Sequence, residues 1–80
     1  MHDELIAAIV DWNPLLAGTV ERTTPLITSS RIDSLGLLQL VMWIEARIGA
    51  PIDVTAIDMS REWDDVDSIV RFVQQRTEGS

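Results

Sequence analysis

The chain has 80 residues, 46% of them hydrophobic, with 13 acidic residues, six arginines, no lysine, no cysteine and a net charge of −7. That length makes one small domain burying about 60% of its unfolded surface, and that composition is too apolar for a chain disordered throughout. Lack of cysteine excludes disulfides and thiolate metal sites, and the acid excess opposes contact with nucleic acid while favouring a cationic protein partner.

Met1 is followed by His2, Asp3 and Glu4 rather than by a basic leader region. The apolar runs fall short of the ~20 residues a membrane span needs. A cytoplasmic protein without membrane insertion is therefore expected, and the start at Met1 and the polar end at Ser80 suggest a stand-alone chain.

The spacing of Leu5, Ile6, Ile9, Val10 and Trp12 predicts a first helix over 3–12, with Asp3 as its cap and Pro14 ending it at Asn13. Residues 14–32 are rich in Pro, Gly, Ser and Thr and read as a long connection. Leu15, Leu16, Val20, Leu26, Ile27 and Ile32 are its expected anchors to the core. The next helix, 34–48, follows Asp33 as N-cap and ends at Gly49 ahead of Pro51. Leu37, Leu40, Val41, Ile44 and Ile48 form its core stripe, and Leu35, Leu38 and Met42 form a second apolar patch.

A single helical turn fits 54–57, and the polar stretch 60–64 holds Trp63, read as a core anchor. The last helix is expected over 66–76, capped by Asp64 or Asp65, with Val66, Ile69, Val70 and Val73 facing inward, Phe72 beside them, and 77–80 frayed. The fold class is all-α: a small bundle of three longer helices and one short one, in a single domain spanning 1–80.

Residues for chemistry are few. The only histidine, His2, sits at an end expected to be mobile, so no Ser–His–Asp arrangement can be assembled on it. Asp64, Asp65 and Asp67 are read as capping acids of a helix start, with a metal site as the alternative. The glycines are isolated and make no phosphate loop. The junction of Ile32, Asp33, Ser34 and Leu35 is different, because a serine in a helix's first turn after a long loop points outward. A phosphate ester there would meet free N–H groups and the positive end of the helix dipole. An ordinary helix cap is the other reading of the same residues.

Asp33-Ser34-Leu35, followed by Leu40-Val41, Ile44-Glu45, Ile48-Gly49 and Pro51-Ile52, resembles the acyl carrier protein family. Thr24-Pro25-Leu26 upstream and the stripe of Val66, Ile69 and Val73 extend the resemblance over most of the chain. It implies an acyl-carrier-like four-helix bundle with a long loop between helices 1 and 2. It implies that Ser34 carries 4′-phosphopantetheine, attached from coenzyme A by a phosphopantetheinyl transferase, and that the arm's thiol holds an acyl or aminoacyl group as a thioester. Asp33 would help dock the transferase and cap the helix, with Leu35 completing the attachment motif. Such a protein is a carrier rather than an enzyme, a monomer that presents its cargo to an acyl- or aminoacyl-activating ligase or synthase. The alternative is a small acidic helical interaction module without a prosthetic group.

The chain departs from the family in two places. Arg31 stands where the family usually has glycine, and Gly36, Leu37, Leu38 and Gln39 replace the acids that often follow the motif, leaving Glu45 as the clearest acid on that face. Leu38 and Met42 are then expected to share partner docking, and Leu37, Leu38 and Ile52 to give cargo a shallow shelter. A narrower similarity links Gly36, and Asp58 with Arg61 and Trp63, to stand-alone D-alanyl carrier proteins, with one extra residue before Trp63.

Overall fold

The computed structural model describes residues 1–78, with the backbone alone at Glu78. In chain order the elements are α1 (His2–Trp12), a 3-10 turn (Pro14–Leu16), α2 (Ser34–Ile48), a second 3-10 turn (Val54–Ala56), α3 (Met59–Glu62) and α4 (Val66–Glu78). The described residues thus form an all-helical bundle of three long helices and one single-turn helix, with a long loop between α1 and α2. α4 packs against α1, α2 and α3, and α1 packs against α2.

The hydrophobic periodicity explains this arrangement. Leu5 and Ile9 of α1, Leu40 and Ile44 of α2, and Val66, Ile69, Val70 and Val73 of α4 are buried at helical spacing and meet in one core. Phe72 joins them at its edge, and Trp63, at the end of α3, lies fully inside. The indole of Trp63 stands edge-on to Phe72, with centroids 5.3 Å apart and planes at 83°.

The loop over residues 17–33 is tied down at named points. Val20 and Leu26 are buried in the core, and Leu16, Ile27 and Ile32 pack against it half-buried. Leu15 does not serve as an anchor: it is 89% exposed, because the 3-10 turn that begins at Pro14 directs it outward. Asp64 clamps the middle of the loop. Its Oδ1 accepts the N–H groups of Ile27 and Thr28, both at 2.9 Å. Its Oδ2 accepts the Thr28 hydroxyl at 2.8 Å, and its carbonyl accepts the N–H of Leu26 at 2.6 Å.

Several boundaries differ from the sequence expectation. α1 begins at His2, so Asp3 is a first-turn acid rather than the cap. Of the two caps expected for α4, Asp65 is the one used, accepting the Ser68 N–H at 2.7 Å. α4 continues through Thr77 and Glu78 rather than fraying there, and the expectation for Gly79 and Ser80 lies outside the described residues. α3 falls in a stretch that reads as polar; Met59 and Trp63 are its only apolar residues, one turn apart, too few for a periodicity to register. Among the described residues no helix is long and apolar enough to cross a membrane.

Candidate functional site

The start of α2 is built by Asp33. Its backbone is extended, with φ −86° and ψ −174°, and its Oδ1 accepts the Gly36 N–H at 2.8 Å while its carbonyl accepts that of Leu37 at 2.8 Å. Gly36 fits because the turn is tight: a Cβ there would lie 3.2 Å from Ile32 Cγ2 and 3.3 Å from Asp33 Oδ1. At the other end Gly49 adopts φ 71° as the left-handed terminator of α2. Ser34 is the first residue of the helix, exposed, with its hydroxyl bonded to no described residue. Asp33 satisfies the third N–H of the helix, while those of Ser34 and Leu35 stay beyond the reach of any intrahelical carbonyl.

Ser34 also lines a shallow open groove of about 210 Å³, together with Leu37, Leu38, Val41, Val54 and Met59. The groove therefore joins the first half of α2 to the second 3-10 turn and to the start of α3. Each of these three elements is preceded by an aspartate at its N-cap position: Asp33, Asp53 and Asp58. All three are exposed. The Thr55 hydroxyl and then the Thr55 N–H hold the Asp53 carboxyl below its ordinary value of 3.8. The groove is thus apolar inside, with carboxylates on the chain that leads into each of its walls.

The other expected site residues divide into three groups. Leu37 and Leu38 line the groove as expected. Leu35, Leu38 and Met42 are 65%, 56% and 61% exposed and make an apolar stripe along α2. Ile52 and Glu45 are committed to the fold: Ile52 packs half-buried against the core and does not line the groove, and its N–H donates to Glu45 Oε2 at 2.8 Å. Val41, Val54 and Met59 were not legible as site residues. Val41 belongs to the core stripe of α2, and the other two come from turns that only the tertiary fold brings to Ser34.

On the opposite side of the α2 start lies a second cleft of about 270 Å³, lined by Trp12, Leu16, Arg31, Ile32, Leu35 and Gly36 among others. Arg31 is half-buried there, and its Nη1 donates to the Pro25 carbonyl at 3.4 Å. Ser34 is not part of that cleft.

No group placed to activate Ser34 lines its groove. His2 is held elsewhere, contrary to the expectation of a loose end: its Nε2 lies 2.9 Å from Asp67 Oδ1 and 3.1 Å from Arg22 Nη2. Asp64 and Asp65 are spent on the N–H groups of Ile27, Thr28 and Ser68. Glu4 pairs with Arg47, whose hydrogen bond and charge hold the Glu4 carboxyl below its ordinary value, and Arg47 also lies over the Trp43 ring at 4.6 Å. Among the described residues no three His, Asp or Glu side chains converge as metal ligands. Comparison with family models, curated proteins and solved structures finds no match to this chain.

Proposed function

We propose that this protein is a carrier whose Ser34 is the attachment point of a 4′-phosphopantetheine arm. It acts as a cytoplasmic monomer that presents an acyl or aminoacyl group to partner enzymes and catalyses nothing itself. The observation that carries the reading is the placement of Ser34. It is an exposed, unbonded hydroxyl in the first turn of α2, at the mouth of an apolar groove. The resemblance of Asp33-Ser34-Leu35 and its flanking residues to the acyl carrier protein family supports it.

The local chemistry fits a phosphodiester. The N–H groups of Ser34 and Leu35 and the positive end of the α2 dipole favour an anion at the Ser34 oxygen. Asp33 fixes the backbone of this turn by holding Gly36. Without a base in reach Ser34 does not activate itself, and the attaching enzyme must take its proton. In that transfer the serine Oγ–P bond forms and a pyrophosphate P–O bond of coenzyme A breaks, releasing adenosine 3′,5′-bisphosphate. Once attached, the arm supplies the thiol that holds cargo as a thioester, a thiol that a chain without cysteine cannot provide.

The test is an intact mass after incubating the protein with coenzyme A and a broad-specificity phosphopantetheinyl transferase. The expected result is a gain of one phosphopantetheinyl group on the wild type and none on Ser34→Ala. No gain on the wild type, or an equal gain on the variant, removes the carrier reading. The exposed stripe of Leu35, Leu38 and Met42 would then favour a small acidic interaction module without a prosthetic group.

A further inference from the structure

The cations of this acidic protein are gathered on one side. Of its six arginines, Arg31 lies in the cleft behind the α2 start and Arg47 pairs with Glu4. The other four, Arg22, Arg61, Arg71 and Arg76, surround α4. Arg71 is exposed on the outer face of that helix and lines two adjoining clefts, one on each flank. The first, of about 270 Å³, runs along the Phe72 flank to Arg61 and Glu62 of α3. Arg76 stands beside it, its guanidinium 4.6 Å from the centre of the Phe72 ring. The second, of about 240 Å³, runs along the Val70 flank to His2 and Arg22.

Two of these cations are uncommitted. Arg22 donates its Nε to Asp67 Oδ1 at 3.1 Å. Among the described residues Arg61 and Arg71 have no ion pair and no side-chain hydrogen bond, in a chain with 13 acids. The acids lining the two clefts are Glu62 and Asp67, and Asp67 is already held by Arg22 and His2. A free guanidinium presents its donors as a planar fork that matches a carboxylate.

The spacing selects the kind of ligand. Arg61 and Arg22 belong to opposite flanks of a helix that is about 10–12 Å across with its side chains, so one small anion does not span the row. A chain with carboxylates at intervals does. Gln74 and Gln75, exposed and one in each cleft, offer amide donors and acceptors to its backbone. A nucleic acid fits less well. Phosphates beyond the row would meet the net charge of −7, and Phe72 is buried with Arg76 over its ring, which leaves it no face for base stacking.

From this row of cations we infer that the outer face of α4 docks an acidic segment of a partner protein, with Arg61 and Arg71 as the residues that grip its carboxylates. This docking needs no arm on Ser34. No residue that lines the Ser34 groove lines either α4 cleft, so a partner held on α4 leaves Ser34 open to a second one.

The probe is an acetylated peptide of about ten residues, glutamate alternating with alanine, long enough when extended to cross the row. It is titrated into the full chain at ~20 mM salt and followed by NMR, because exposed charges are screened at higher ionic strength. The Nε–H resonances of Arg61 and Arg71 and the amides of Gln74 and Gln75 are expected to move, and those of Leu37 and Leu38 to stay. Arg61→Gln combined with Arg71→Gln is expected to weaken binding about five- to tenfold, the effect of losing two exposed charge pairs. Arg31→Gln combined with Arg47→Gln removes the same charge elsewhere and is expected to change affinity less than about twofold.

No resonance shift in the wild-type protein, or shifts centred away from α4, overturns the docking face. Equal weakening by the two double variants overturns the assignment to Arg61 and Arg71, since net charge alone would then explain binding. A thymidine oligonucleotide of the same length that binds this face as tightly as the peptide overturns the acidic protein segment as its partner. The wild-type mapping locates the site even where a variant folds poorly, and arm attachment at Ser34 is read separately by intact mass.

Discussion

Trp63 places the largest side chain of the core where its indole Nε1 is buried and meets no acceptor on the described residues. A buried donor without a partner costs about 1–3 kcal/mol, because the hydrogen bond it gives up to water is not replaced. The volume and rigidity of the ring, fully buried in the core and edge-on to Phe72, offset that cost. Two opposing effects follow for Trp63→Phe. The ring loses volume, which weakens packing, and the orphaned donor disappears, which offsets part of that loss. The expected net cost is below about 1 kcal/mol, against about 3–5 kcal/mol for Trp63→Ala. Denaturant unfolding of both variants checks this. A cost for phenylalanine as large as for alanine would mean that the indole N–H contributes a hydrogen bond after all. As a core anchor Trp63 was legible in the sequence, since a lone tryptophan in a polar stretch needs a place to be buried. Its edge-on contact with Phe72 was not, because that depends on how α3 packs against α4.

At the scale of elements, the long helices were legible because each carries enough apolar residues at helical spacing to mark its buried face. Leu37, Leu40, Val41, Ile44 and Ile48 trace α2, and Val66, Ile69, Val70 and Val73 trace α4. The loop was legible as a loop, but its fastening was not, since the clamp joins residues 36 and 37 positions apart in the chain. Partial burial pushes the Asp64 carboxyl up, yet the N–H and hydroxyl of Thr28 and the N–H of Ile27 together hold it below its ordinary value of 3.8. Because the folded-state value is depressed, the stabilisation is fully present above the unfolded-state value near pH ~3.9 and is lost as pH falls through the folded one. Asp64→Ala is expected to cost about 2 kcal/mol at neutral pH, a drop of roughly 8–16 °C in melting temperature for a domain of this size. The wild-type melting temperature should also fall more steeply than that of the variant as pH drops from about 5 to about 3. Parallel pH profiles for the two proteins would show that the clamp carries no charge-dependent stability.

Across the whole molecule the charge of −7 is not spread evenly over working surfaces. Several acids already have partners within the molecule: Glu45 with Ile52, Asp64 with Ile27 and Thr28, Asp65 with Ser68 and, at the surface, Asp67 with Arg22 and Glu4 with Arg47. Asp33, Asp53 and Asp58 are the exposed acids that precede the three elements around the groove, while the α2 surface beside them is the apolar stripe of Leu35, Leu38 and Met42. The sequence carried the stripe as an i, i+3, i+7 pattern, but the convergence of these three elements on one groove exists only in the fold. A carrier with this surface should recognise a partner in two separable ways. Exposed charge acts at a distance and sets the rate of encounter, whereas apolar side chains act on contact and set the rate of escape. Binding to a basic phosphopantetheinyl transferase, followed by stopped-flow or surface kinetics, is therefore expected to associate about tenfold more slowly when salt rises from ~0.02 to ~0.5 M, since exposed charges are screened within ~10 Å at 0.1 M. Replacing Asp53 and Asp58 together by asparagine, which keeps the oxygens that accept from Thr55 and Ser60, should slow association and flatten that salt dependence while leaving dissociation nearly unchanged. Leu38→Ala and Met42→Ala should do the reverse, raising the dissociation rate at every salt concentration. An association rate independent of salt in the wild-type protein would show that the aspartates around the groove do not steer the partner, leaving recognition to the apolar stripe of α2.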